Sequence, residues 1–421
     1  MRSVYDTEKF TSADFKAARD SWRRDLCGDA ETNDTAIPGI KNILLMYDLD
    51  SEQFRRDMNR YEGAPLLFGD YVPELSGELK IQYDAIYRMA LPYGTIGCRG
   101  YKSKELLQDI LFALDWMYDN MYGENVVTDT SFRSWKLYDW WDWYIGGSCP
   151  MMNTLMIIED GINEELIRKY TTPISYLRYQ MKTAPVAAEM MSRMMSMTPL
   201  ALLTEDRTLL KQLSEECDVL LSEHDEGNNM RRDMCCMTHG LIYNIGYGFI
   251  NLDRIGRVLK ILSGTPLAYP ISKEKQYILM KMIRYTFSPS MYRGRPFSPM
   301  NGRKMQEAET VLNPLKYFYY AYGVFGEAED REIKEIIRRN YTERNKELLI
   351  SHFDKGVTLE EYRKINSGGE RSRYEPITKI VTYSMLYDAL TNDKYDTSDY
   401  TLGYMWYSGD TAVQFRDGNM V

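Results

Sequence analysis

The chain has 421 residues, room for one large domain or two to three ordinary ones. With 44% hydrophobic and 27% charged residues and no low-complexity stretch, it reads as a folded globular protein. A net charge of −9 argues against a nucleic-acid binder, whose affinity needs a basic surface, yet leaves room for a local basic cleft that takes a polyanion. The first residues, Met1-Arg2-Ser3-Val4-Tyr5-Asp6-Thr7-Glu8, lack the apolar stretch of a signal peptide, and no apolar run is long enough to span a bilayer. Helix signals then follow one another, the first over 11–26 with Ser12 as its N-cap. Further helices are predicted at 51–61, 74–90, 103–122, 163–181, 185–197 and 206–221. Later ones fall at 252–262, 273–287, 304–322, 330–344 and 378–390.

No strands alternate with these helices and no fixed-period repeat is visible, so the predicted fold class is all-α, compatible with paired helices closing into a toroid. Met190-Met191-Ser192-Arg193-Met194-Met195-Ser196-Met197 is expected to be adaptable core packing. The end of the chain differs. Tyr400-Thr401-Leu402-Gly403-Tyr404-Met405-Trp406-Tyr407 and Thr411-Ala412-Val413-Gln414-Phe415-Arg416 have β composition around the turn Ser408-Gly409-Asp410. The expected division is a helical domain over 1–395, then 396–421 as the first strands of a second domain whose remainder is absent. Six cysteines form no CxxC, and the three histidines (His224, His239, His352) are far apart, so no metal site is expected. Cys235-Cys236 reads as two buried small hydrophobes.

Three features carry candidate chemistry. Asp139-Trp140-Trp141-Asp142-Trp143-Tyr144-Ile145-Gly146, followed by Asn153-Thr154-Leu155, concentrates flat aromatic surface that can stack on sugar rings, with carboxylates and amides for hydroxyls. Consecutive Trp140 and Trp141 cannot share one helical face, so at least one points away from the core. The segment Asp233 to Gly248 places His239, Tyr243, Asn244 and Tyr247 among glycines, the composition of a site-forming loop and not of one helix. Tyr292-Arg293-Gly294-Arg295-Pro296 with Asn301-Gly302-Arg303-Lys304 is a positive patch in an acidic chain, either solvated surface or a clamp for a carboxylate or sulfate.

Taken in order, these segments resemble polysaccharide lyase family 8, the hyaluronate, chondroitin AC and xanthan lyases. Asp139–Gly146 with Asn153-Thr154-Leu155 looks like the family's Asn-Trp-Trp-Asp-x-x-Ile-Gly and Asn-Asn-Thr-Leu segments, and Asp233 to Gly248 resembles its Asp-Gly-Ser-x-x-x-His and Tyr-Gly segments. Leu262-Ser263-Gly264-Thr265-Pro266 and the arginine patch continue the likeness, which covers roughly residues 80 to 320. The resemblance implies an incomplete (α/α) toroid followed by a β-sandwich, an extracytoplasmic monomer, and β-elimination at a uronic acid of an acidic polysaccharide. It implies no cofactor, no metal, no nucleic acid and no membrane. It makes Tyr247 the general base and acid, with His239 assisting at the carboxylate and Arg303 stabilising the tyrosinate, since a phenol in water titrates near 10 and needs adjacent positive charge to act at neutral pH. Trp140, Trp141 and Trp143 become the sugar platform, and Asp139, Asn153, Asn244, Arg293 and Arg295 substrate-binding residues.

The sequence also departs from the family pattern. Thr183-Ala184-Pro185-Val186 stands where the family has Thr-Gly-Ala-Asn, so the carboxylate-neutralising asparagine is missing; Asn229 and Asn244 are the nearby amides that could replace it. The His239–Tyr247 interval is one residue short, Glu307 occupies the second arginine's place, and Asp139 precedes the tryptophans. Two other readings follow: a glycan-binding protein of the same fold that has lost turnover, and an (α/α)-barrel glycoside hydrolase using Asp139 and Asp142.

Overall fold

The computed structural model describes residues 5–69, 78–128, 141–178, 187–227, 230–293, 295–304, 315–340, 379–395, 402–409, 411–416 and 419–420. The first helix, Ser12–Cys27, begins at the residue expected to cap it, and its cap lies one residue earlier. The Thr11 hydroxyl accepts from the Asp14 N–H, and the Asp14 carboxylate accepts from the Thr11 N–H, so Thr11 is the N-cap of a reciprocal box. Ser12 instead donates its hydroxyl to Glu205, 2.8 Å away. Thr11→Ala is expected to cost about 1 kcal/mol of stability, read from chemical unfolding.

Longer helices follow at Ile40–Asp57, Glu78–Gly94, Lys104–Asn120, Ser148–Ile158, Glu164–Arg178, Ala187–Leu203, Arg207–Leu220, Glu327–Asn340 and Ile380–Thr391. The helix expected over 51–61 starts at Ile40, behind Gly39 at φ 87, because Ile40, Ile43, Leu44 and Tyr47 already form its buried stripe. Ser148–Ile158 was not predicted. All of its residues are buried, so no polar face reveals a helical period. Of the stretch expected to be helical over 304–322, the described residues fall mostly in 3-10 segments, the end of Ser298–Lys304 and Lys316–Tyr320, and in turns beside the latter.

The helices pack as neighbours: Glu78–Gly94 on Ile40–Asp57 and Ser148–Ile158, Arg207–Leu220 on Ala187–Leu203, and Glu327–Asn340 on Ile380–Thr391. Ser12–Cys27 touches Ser148–Ile158, Ala187–Leu203, Arg257–Ser263 and Ile380–Thr391, so the last helix closes back on the first. Its Trp22 is fully buried, and buried Asp25 joins Arg257 Nε at 2.7 Å and Lys379 Nζ at 2.9 Å. Met191, Met194, Met195 and Met197 are core residues, as expected. No helix among the described residues is long and apolar enough to cross a membrane.

Strands are few and antiparallel. β1 (Met237–Thr238) pairs with β2 (Leu241–Ile242), and β3 (Met291–Tyr292) with β4 (Arg295–Pro296). The two expected terminal strands form as β5 (Leu402–Trp406) and β6 (Thr411–Arg416), with Tyr404 opposite Val413, and a short β7 (Asn419–Met420), not expected, pairs with β6. This small sheet borrows its core from the helical body. Trp406 is fully buried and donates its indole N–H to the Tyr285 carbonyl at 3.0 Å, while Tyr404 stacks on Tyr285 with centroids 5.4 Å apart.

Candidate active site

The segment from Asp233 to Gly248 folds as a hairpin followed by a π-turn. β1 and β2 are joined by His239-Gly240, with φ of 55 and 73. A two-residue turn with positive φ at both central residues matches the strand twist, and this one puts His239 at an exposed tip. The chain then re-enters the core at Tyr243, whose N–H donates to the Cys236 carbonyl at 2.7 Å. The π-turn Asn244–Gly248 carries Tyr247, half-buried. Single π-turns inside helical runs recur at functional sites because they re-aim side chains. Here the re-aimed ring meets His239 at a tilt of 63° with centroids 6.4 Å apart, and Tyr243 edge-on at 4.7 Å. The histidine and tyrosine proposed from the sequence are therefore neighbours.

The third member comes from Ser298–Lys304, which packs on β2 and on the Asn244–Gly248 turn. Gly302, at φ 52, lies flat against the Tyr243 ring, leaving no room for a Cβ. The backbone of Arg303 is thereby brought beside the tyrosine turn; its side chain is outside what the structure describes. Gly302→Ala is expected to cost about 1–3 kcal/mol by overpacking and to lower any activity, whereas Gly240→Ala, with open space around its Cβ, should cost less. Denaturant unfolding of the two variants makes the comparison.

Several expected binding residues have other occupations. Asn244 is 0% exposed; its Oδ1 accepts from the Cys236 N–H at 2.8 Å and its Nδ2 donates to Ser290 Oγ at 3.1 Å. It ties β1 to the Tyr247 turn and has no open face for a ligand. Asn153 is likewise buried and accepts from the Trp22 indole at 3.1 Å. Trp143 is 8% exposed, packed on Tyr122 at 5.4 Å, and its carbonyl accepts from the Tyr122 hydroxyl. Trp141, by contrast, is 41% exposed, so of the two described tryptophans of this run it is the one open to solvent. Asp139 and Trp140 lie outside the described residues, as do Asn229 and the segment 183–186. Asp142 accepts from the N–H groups of Leu79 and Lys80 at 2.8 and 2.9 Å, at the start of the Glu78–Gly94 helix. A buried carboxylate committed to a helix start is ill placed to attack or protonate a glycoside.

Arg293 and Arg295 are both exposed on the second hairpin, in the chain stretch that leads to Arg303; Arg293, at φ 46, lays its guanidinium 5.2 Å over the Tyr292 ring. Cys235 and Cys236 are buried and reduced, and burial pushes both thiols up, Cys236 to about 12, so neither is a nucleophile. Among the described residues no three His, Cys, Asp or Glu side chains converge as a metal site.

The terminal hairpin docks on this segment, a contact no local motif foretells. Asp233 Oδ2 accepts from the Ser408 N–H at 2.7 Å, and the Asp233 carbonyl accepts from the Tyr404 hydroxyl at 2.8 Å. Burial, with Asp233 next in order, pushes the Tyr404 phenol up to about 12, which makes it a fixed donor. The visible signal was a lone acid ahead of two apolar cysteines; nothing near it in sequence indicates the partner.

The profile described as polysaccharide lyase family 8, N terminal alpha-helical domain, matches residues 22–311. The hyaluronate lyase HylB of Enterococcus faecalis is 24% identical over 324 residues, 72% of this chain and 31% of that protein. The xanthan lyase of Bacillus sp. is 23% identical over 236 residues, 55% of this chain and 24% of that protein. The chain thus spans a third or less of the length of these relatives. Among solved structures, the chondroitin AC lyase of Streptomyces coelicolor A3 in complex with chondroitin sulphate superposes with a TM-score of 0.76 at 15% identity, covering 96% of this chain and 52% of that one. The Paenibacillus xanthan lyase gives 0.74 at 18% identity, covering 96% and 36%. The all-α toroid expected from the sequence is the fold these likenesses show.

Proposed function

The chain belongs to polysaccharide lyase family 8, and on that premise we propose that it cleaves a uronate-containing polysaccharide by β-elimination to unsaturated products. The observation that supports this reading most is the Tyr247–His239 pair, rings 6.4 Å apart where the hairpin tip meets the π-turn. The Tyr247 phenolate takes the proton from C5 of the uronate. The electron pair left on C5 delocalises into the carboxyl group, then forms the C4=C5 double bond as the C4–O bond breaks. Tyr247 returns its proton to the leaving oxygen, so one side chain is base and then acid.

The step requires the uronate carboxylate to be neutralised, because the negative charge that develops in the transition state spreads into it. His239, at the tip, supplies a donor on one side. Arg303 stabilises the tyrosinate, and Arg293 and Arg295 draw the polyanion towards the cleft. Trp141 offers its exposed face to a sugar ring. A polymer too large to cross a membrane implies an extracytoplasmic place of action.

The test is a panel of hyaluronan, chondroitin, xanthan and other uronate polymers, followed by the ultraviolet absorbance of the new C4=C5 bond and by product mass. Unsaturated oligosaccharides support the reading. Products heavier by one water, or binding without cleavage, would overturn it in favour of a hydrolase or a glycan-binding protein.

A further inference from the structure

Asp233 is buried upstream of His239, and the elimination gives it no part. Its Oδ1 accepts from the Cys235 N–H at 3.1 Å and its Oδ2 from the Ser408 N–H at 2.7 Å. Its carbonyl takes the Tyr404 hydroxyl at 2.8 Å. One local donor and two from the distant terminal hairpin therefore converge on one residue. We propose that Asp233 is a positioning residue: it latches the His239 hairpin to the β5–β6 hairpin, and this latch holds the imidazole beside Tyr247. The inference rests on the proposed lyase reading for its kinetic consequence, not for its structural one.

The surroundings support a latch. Met234 and His239 are non-glycine residues with left-handed φ, 59 and 55. Such conformations persist only when neighbours over-determine them. The Met234 carbonyl accepts from the Thr286 hydroxyl at 2.6 Å, and the adjacent Tyr285 carbonyl accepts from Trp406. Gly409 sits against Ile242 of β2 so closely that a Cβ would collide with it. Further along, the Cys236 N–H donates to Asn244, at the start of the Tyr247 turn. The terminal hairpin thus grips both the strained loop and the strand paired to β1. Release at Ser408 frees the hairpin that ends in His239, while the Tyr243–Tyr247 packing stays.

The decisive measurement is on the imidazole of His239 in the full chain, which has three histidines, so its nuclear magnetic resonance signals are identified by their loss in His239→Gln. Asp233→Asn removes the carboxylate, and Ser408→Pro removes the N–H that faces it while also fixing φ at 408 and restricting Tyr407. In both variants, at unchanged far-ultraviolet circular dichroism, the His239 signals should shift and broaden. Trp406→Phe, which loses the indole donor but keeps an aromatic plug, should produce a smaller change of the same kind. On a cleaved polymer, kcat should fall about 100-fold in Asp233→Asn, as expected for a misplaced group, with KM little altered. Asp233→Asn added to His239→Gln should slow it no further, because the two residues act through one position. Unmoved His239 signals, or losses that simply multiply, overturn the latch. If no polymer is cleaved by the wild type, the lyase reading fails while the resonance shifts still decide the latch.

Discussion

Tyr247→Phe is expected to lower kcat by about 100- to 10,000-fold, the range general acid–base groups contribute, while oligosaccharide binding stays within a few-fold of wild type. The substitution removes one oxygen. It keeps the ring that packs on Tyr243 at 4.7 Å and faces His239, so the π-turn and hairpin should hold their shape. Trp141, the exposed arginines and His239, the other contacts of the proposed function, are left in place. Absorbance of the unsaturated product gives the rate, and calorimetric titration with a fixed-length oligosaccharide gives the affinity. Undiminished turnover in Tyr247→Phe removes Tyr247 from the chemistry. Equal losses in rate and binding assign it to substrate contact instead.

Asp25→Ala is expected to lower stability by about 3–5 kcal/mol, because it leaves buried cations without their counter-ion. Asp25 and Arg257 are 6% and 5% exposed at the side chain, and Lys379 adds a second bond to the same oxygen. The three come from the first helix, the Arg257–Ser263 helix and the residue before Ile380–Thr391, so this cluster pins the ring where it closes. Burial alone pushes the Asp25 carboxyl up, but Arg257 and Lys379 outweigh it and hold the group below its ordinary value. Lys379 is itself pushed down to about 8 by burial and by Arg257, so Arg257 is the partner charged throughout. Since the folded carboxyl is the stronger acid, its contribution is fully present above the unfolded value, near 4, and is lost as pH falls through the folded one. Urea unfolding of wild type from pH 7 to pH 3 should show this acid loss, and Asp25→Ala should show less of it. A variant with wild-type stability at pH 7 would contradict the account.

Much of the fold was legible because helix formation is largely local. The stripe Leu209, Leu210, Leu213, Cys217, Leu220 and the cap Asp206 mark one helix within a dozen or so positions, and the structure places it at Arg207–Leu220. The terminal strands announced themselves through alternating β-branched and aromatic residues. Ser148–Ile158 stayed hidden because an evenly buried helix has no period to detect. The site was legible as a segment: glycines around His239 and Tyr247 excluded one long helix, and a hairpin with a π-turn is what forms.

Sequence by itself thus determined the helical class, the order of the motifs and the candidates His239, Tyr247 and Arg303. Only the tertiary structure decided which candidates face outward. Trp141 and Trp143 are chemically alike and two positions apart, yet one is exposed and the other lies on Tyr122. Asn153 and Asn244 looked as available to a sugar as any amide, until Trp22 and the Cys236–Ser290 pair occupied them. Asp233 found its partner in Ser408, on the far side of the whole toroid sequence. Exposure and hydrogen-bond satisfaction are set by what packs from elsewhere in the chain, and a polar group inside a core must take the partner the packing brings.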